Sequence, residues 1–156
     1  MIEREITVPF SIFRYEELEP NIQKLVEKAK EQTKKSYSPY SKFCVGAAVL
    51  LDNGEIFTGS NQENVAYPSG LCAERVAMLY ANSQFPENKP VAIAIAAKND
   101  DGFVEKPIMP CGACRQVLLE TEMRFDSKIS VYLFGTEAVY SLKSIISLLP
   151  LAFTSF

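Results

Sequence analysis

The chain contains no histidine and no tryptophan. Without imidazole, any metal site must be built from thiolates or carboxylates, and any proton carrier near neutral pH must be a tuned carboxylate, thiolate or lysine. No apolar run approaches the roughly 18 residues that a membrane span needs, so no membrane association is expected. A basic block is missing too: 16 lysines and arginines face 19 acidic residues, leaving a net charge of −3. Proteins that grip a nucleic-acid backbone carry a basic patch, so a small substrate is expected and no nucleic-acid partner. The opening Met1-Ile2-Glu3-Arg4-Glu5 lacks the basic-then-apolar layout of a signal peptide, and a cytoplasmic location is expected. Repeats, low-complexity tracts and linkers are also absent. The 156 residues, 47% of them hydrophobic, are therefore read as one domain over 1–156, with 1–14 as an N-terminal arm or edge strand.

Leu18, Ile22, Leu25, Val26 and Ala29 recur at helical spacing behind Pro20, which suits a first helical turn; the predicted helix runs over 17–35. The nearly continuous apolar run 43–51 predicts a strand covered on both faces. Asp52-Asn53-Gly54 signals a hairpin turn, with the return strand over 55–61. Further along come a helix over 72–84, a buried strand over 91–97, a turn at 100–102 and a helix over 111–122. A strand over 129–134, a short one near Val139 and a closing helix over 141–149 complete the chain. This order predicts an α/β fold: a three-layer α-β-α sandwich around a mixed five-stranded sheet. Each cysteine-bearing helix lies next to a buried strand, so their N-termini can meet at one end of that sheet.

Four cysteines in a reducing compartment are thiols or metal ligands before they are disulfides. Cys111 and Cys114, in Pro110-Cys111-Gly112-Ala113-Cys114-Arg115-Gln116, can face one ion from a first helical turn, and Cys72 opens an earlier helix. Three thiolates leave the fourth zinc position for water, as a catalytic site requires. Glu74, two residues after Cys72, suits a proton carrier in such a site, although a glutamate in a first turn also serves as a helix-dipole partner. A three-thiolate zinc is net anionic; Arg75, on the same helix face as Cys72, can offset that charge, and Arg115 is a second candidate. Cys-x-Glu followed by Pro-Cys-x-x-Cys is the pattern of zinc nucleobase deaminases. Cys44, in the first apolar run, reads either as a buried apolar residue or as a fourth ligand that would close a purely structural site.

Over about residues 36–153 the chain resembles the small homotetrameric cytidine deaminases. The resemblance is carried by Tyr40-Ser41-Lys42-Phe43-x-Val45-Gly46-Ala47-Ala48, by Asn61-x-Glu63-Asn64-x-Ala66-Tyr67-Pro68, by the two cysteine motifs, and by Leu148-Leu149-Pro150-x-x-Phe153. Met109, Cys44 and Ser69 depart from the family's usual pattern, and residues 1–14 find little match. The resemblance implies one Zn²⁺ per subunit on Cys72, Cys111 and Cys114, with Glu74 catalytic. It implies that Asn61 and Glu63 hold the ribose 3′-hydroxyl, that Phe43 stacks on the pyrimidine, and that the Ala73 N–H orients the base. Phe153 and, with it, Tyr67 would reach a neighbouring subunit's site in a homotetramer. The implied reaction is hydrolytic deamination of cytidine and 2′-deoxycytidine to their uridine forms with release of ammonia, as in pyrimidine salvage.

Three rivals stay open on the residues alone. The same site could serve another aminonucleoside or nucleobase; a four-thiolate zinc closed by Cys44 could be structural; and Cys111 with Cys114 could form a redox dithiol. The last explains neither Cys72 nor Glu74.

Overall fold

The apolar run of the first long strand is covered on both faces, as its composition requires. The computed structural model describes residues 1–155 and shows a central mixed sheet between helices. In chain order the elements are β1 (Ser11–Phe13), α1 (Pro20–Gln32), β2 (Cys44–Leu51), β3 (Ile56–Ser60) and α2 (Ala73–Gln84). Then follow β4 (Pro90–Asn99), β5 (Gly102–Phe103), α3 (Gly112–Arg124), β6 (Ser130–Phe134) and β7 (Val139–Leu142). The sheet order is β1-β7-β6-β4-β2-β3, with β5 added beside β4. Among the strands of the described residues only β4 and β6 pair in parallel, and α3 forms the crossover between them.

Alternation along β2 and β4 builds two cores. Val45, Ala47, Val49, Ile93, Ile95 and Ala97 face α2 and α3, meeting Ala77, Met78 and Leu118. Ala48, Ala92, Ala94 and Ala96 face α1, meeting Ile22, Leu25, Val26 and Ala29. Both cysteine-bearing helices therefore lie on the same face of the sheet. Their seating depends on a small residue: a Cβ on Gly59 of β3 would lie 2.6 Å from the Ala77 nitrogen and 2.7 Å from the Ala73 carbonyl of α2.

The three-layer α-β-α architecture is as expected, but the sheet has seven strands rather than five. The five expected strands are all present. Residues 11–13 of the arm add an edge strand antiparallel to β7, and a turn at Gly102 (φ 119°) adds the two-residue β5. The helix expected over 17–35 is shorter, because Pro20 starts α1 while 3₁₀ turns occupy Tyr15–Glu17 and Thr33–Lys35.

The closing helix expected over 141–149 is not formed. Ser141 and Leu142 continue β7 against β6, and a 3₁₀ turn spans Ile145–Leu148. The buried Glu122 carboxylate explains the break: it accepts from Ser144 Oγ at 2.5 Å, from the Ile145 N–H at 2.9 Å and from the Ile129 N–H at 2.8 Å. Those donors fix the segment in a course that a helix beginning at 141 could not follow.

Candidate metal centre

Each cysteine motif puts a sulfur where a helix has unpaired amides. Cys72 is the extended residue before α2 (φ −73°, ψ 151°) and Cys111 the one before α3 (φ −66°, ψ 165°), and neither side chain caps its own helix. Neither sulfur is therefore spent on capping a helix start. Cys114 sits in the first turn of α3 and is fully buried.

Cys72 Sγ lies 3.8 Å from Cys111 Sγ, and all three sulfurs lie within 4.8 Å of one another. Three sulfurs on a tetrahedral ion at the Zn–S distance of about 2.3 Å stand about 3.8 Å apart, so this donor set fits zinc. Among the described residues this is the only such group, and Cys44 is not in it. Cys44 instead contacts Ser38 Oγ at 3.3 Å, so the four-sulfur structural site has no geometric support.

The cluster holds charge unevenly. A hydrogen bond from Cys114, helped by the Arg75 guanidinium and by Cys111, holds the Cys72 thiol down to about 5 despite its burial. The Cys114 thiol is pushed up, because it donates a hydrogen bond to Cys72 and because it is buried beside Glu74. Arg75 reaches Cys72 Sγ at 3.9 Å and the Gly70 carbonyl at 3.4 Å, and its Nε is buried without a partner. Among the described residues no carboxylate pairs with Arg75, so its charge is directed at the sulfur.

Glu74 is only 4% exposed. Burial raises its carboxyl, and the Cys72 thiolate adds to the rise. A carboxyl so placed can carry a proton in a dry site. Ala73, next to it, is fully buried at the start of α2.

Cys72 and Arg75 border a cavity of about 550 Å³ that is also lined by Asn61, Glu63, Tyr40, Ser41 and Tyr67. Glu63 Oε2 accepts the Tyr40 and Ser41 backbone amides at 2.9 and 3.3 Å, and its Oε1 accepts Ser41 Oγ at 2.5 Å. The Ser41 hydroxyl and these amides hold the Glu63 carboxyl below the usual carboxylate range. Asn61 is tied to the start of β2: its Oδ1 accepts the Val45 N–H at 2.8 Å and its Nδ2 donates to the Phe43 carbonyl at 2.9 Å. Phe43 is partly buried against the α2/α3 core, set up by Lys42 in the left-handed region (φ 58°). Tyr67 is exposed and meets Tyr40 edge-on, with ring centroids 6.4 Å apart.

The tail is joined to the cysteine helix. Arg115 donates to the Pro110 and Leu148 carbonyls, both at 2.8 Å, so it anchors chain segments rather than serving as a second thiolate partner. Gln116 Nε2 donates to the Phe153 carbonyl at 2.8 Å, and the Phe153 ring is largely exposed. Phe156, the end of the apolar tail, lies outside the described residues. Sequence reasoning gave no role to Ser36, Ser41 or Gln116. Ser41 and Gln116 stand in the quoted Tyr-Ser-Lys-Phe and Pro-Cys-Gly-Ala-Cys-Arg-Gln motifs, whereas nothing in the sequence marks Ser36 as a contact.

A family model described as the cytidine and deoxycytidylate deaminase zinc-binding region matches residues 19–128. A cytidine deaminase of Sporosarcina psychrophila is 38% identical over 134 residues, covering 86% of this chain and 92% of that one. One from Halalkalibacterium halodurans is 39% identical over 133 residues, covering 85% and 94%. Among solved structures, the cytidine deaminase of Burkholderia pseudomallei superposes with a TM-score of 0.70 at 37% identity, covering 83% of this chain and 97% of that one. That of Mycobacterium tuberculosis gives 0.67 at 33% identity, covering 88% and 100%.

Proposed function

The chain belongs to the cytidine and deoxycytidylate deaminase family and is a zinc-dependent hydrolytic cytidine deaminase, and we propose that it acts on cytidine and 2′-deoxycytidine as free nucleosides. The observation that carries this reading is one cavity lined both by Asn61 and Glu63 and by Cys72, a member of the three-cysteine cluster. Cys72, Cys111 and Cys114 hold the zinc, which supplies Lewis acidity and lowers the pKa of a water beside the substrate.

The remaining chemistry falls to the chain's own residues. Glu74 takes a proton from the attacking water and delivers it to N3 of the pyrimidine as C4 becomes tetrahedral. It then takes the proton of the new C4 hydroxyl and hands it to the departing amine, so that the C4–N bond breaks, ammonia leaves and the C4 carbonyl of uracil forms. Glu74 and the Ala73 N–H orient the amidine edge of the base, and Phe43 supplies a stacking face. Asn61 and Glu63 bind the 3′-hydroxyl, which both nucleosides carry. Arg75 draws charge from the Cys72 sulfur and keeps the centre electrophilic.

Around this site we place one domain over 1–156, its first 14 residues an arm, in a cytoplasmic homotetramer. Tyr67 and Phe153 meet the neighbouring subunit's site there. Both residues are exposed, Tyr67 on the cavity lining and Phe153 tied by its backbone to the cysteine-bearing α3, which supports that placement.

The test is the fall in cytidine-band absorbance when zinc-loaded protein meets cytidine, 2′-deoxycytidine, free cytosine and deoxycytidine 5′-phosphate. Turnover of the two nucleosides, with little on the others, is expected. Glu74→Gln should keep its zinc and lose about a thousandfold or more in kcat. Substantial turnover by Glu74→Gln, or a preference for cytosine or the nucleotide, would overturn the reading.

A further inference from the structure

We propose that Cys44, Ser38 and Ser36 form a one-way hydrogen-bond chain that makes Asn61 a pure donor toward the sugar, which makes Ser36 a positioning residue for nucleoside binding. The proposal rests on the sugar-binding role given above to Asn61 and Glu63.

A carboxamide has two acceptor lone pairs on oxygen and two protons on nitrogen. The backbone decides which end of Asn61 is which, since the Val45 N–H can only donate and the Phe43 carbonyl can only accept. The second lone pair of Asn61 Oδ1 is taken by Ser36 Oγ at 2.5 Å. A hydroxyl has one proton, and Oδ1 cannot supply another. Ser36 therefore spends its proton on Asn61, and the 3.2 Å contact between Ser36 and Ser38 must be donated by Ser38. Ser38 Oγ is left as an acceptor, so at 3.3 Å it receives the Cys44 S–H. Every proton in the chain points toward Asn61.

With Oδ1 saturated, what Asn61 has left for the cavity it borders is one N–H. Glu63 presents the opposite character. Its Oε2 already accepts two amides, and its Oε1 accepts Ser41 and retains a free lone pair. A hydroxyl lying between the two must then accept from Asn61 and donate to Glu63. It has a single orientation, settled before the nucleoside arrives. Without Ser36, Oδ1 regains a lone pair, Asn61 can donate or accept, and the preorganisation is lost. Cys44 thereby acquires a role its sequence position does not suggest: it ends the chain with a donor.

A merely structural role, tying residues 36–38 to β2, would affect every substrate alike. The test is therefore kcat/KM for cytidine and for 3′-deoxycytidine in the wild type, Ser36→Ala, Ser36→Thr, Ser38→Ala and Cys44→Ala, with zinc content and melting temperature recorded. Ser36→Ala is expected to lose about fivefold to tenfold on cytidine, through KM with kcat within about twofold, and to lose nothing further on 3′-deoxycytidine. Ser36→Thr, which keeps the hydroxyl, restores cytidine. Ser38→Ala and Cys44→Ala leave the Ser36–Asn61 bond in place but remove the donation that holds the Ser36 hydroxyl in its orientation, so they show the same selectivity with progressively smaller losses. Should Ser36→Ala fail to fold, Ser38→Ala carries the same two-substrate comparison with the Asn61 contact intact. Equal losses on both substrates, or none on either, overturn the chain. A wild type that does not distinguish the two substrates overturns the sugar-binding reading, and the chain with it.

Discussion

At the scale of single residues, the centre divides its work between charge and dryness. Arg75 shows the charge side. Its guanidinium is unpaired by any carboxylate among the described residues and reaches Cys72 Sγ. Arg75→Ala leaves a three-thiolate ion with its full negative charge, so kcat should fall about tenfold while zinc stoichiometry, measured by metal analysis, stays near one per chain. Arg75→Lys should recover part of the loss. Full turnover in Arg75→Ala would remove the arginine from the account. Glu63 behaves differently. Its carboxyl is held low by the Ser41 hydroxyl and two amides, so its contribution is present above the unfolded value and lost only as pH falls through the lowered folded value. KM for cytidine should therefore stay flat from pH 8 down to about pH 5.5; a rise beginning near pH 6.5 would contradict this.

The residue scale is also where the sequence was most and least informative. Cys72, Glu74, Cys111 and Cys114 act within one or two turns of a helix, so spacing alone exposes them. Ser36 and Asn61 stand 25 positions apart, and Ser41 and Glu63 stand 22 apart. Serine is common in loops, and only the folded sheet brings these pairs together.

Among the elements, α2 and α3 matter because their N-termini must converge. Gly59 lets α2 approach β3 so closely that any Cβ would collide with two of its backbone atoms. Gly59→Ala should displace α2 and Cys72 with it, costing about 2 kcal/mol in urea denaturation and weakening zinc binding in competition with a chelator. Unchanged zinc affinity would show that the helix start does not follow its body. At the other end of α3, Glu122 satisfies three donors from two later segments. Glu122→Ala orphans them all and should cost about 3–5 kcal/mol, while Glu122→Gln, keeping one acceptor oxygen, should cost roughly half. The same glutamate explains why the closing helix was misread. Over 141–149 the apolar spacing suits a helix, but a partner some 20 residues upstream captures Ser144 and Ile145. Periodicity reports which face is apolar; it is blind to a distant side chain that takes the Ser144 hydroxyl and the Ile145 amide.

For the whole molecule, the outstanding feature is the apolar surface that the single chain leaves exposed. Leu71, Leu79, Tyr80, Leu151 and Phe153 are all at least 43% exposed on the single chain, more than scattered surface residues require. Assembly would cover them, and Gln116 holds the Phe153 backbone to the cysteine-bearing α3. Sedimentation should find four 17.4 kDa chains together. A sharper test asks whether Phe153 completes a neighbour's site. Phe153→Ala chains keep Glu74 but lack the ring, and Glu74→Gln chains keep the ring but lack the acid. Each homotetramer should be impaired, the first about tenfold in kcat/KM and the second almost fully. Co-expressed, they form mixed tetramers in which some sites combine Glu74 from one chain with Phe153 from the next. Activity per Glu74-containing chain should then rise several-fold above that of Phe153→Ala alone. If Phe153 served only its own chain's site, no combination could restore what the two substitutions remove, and the mixture would show the simple average of its parents.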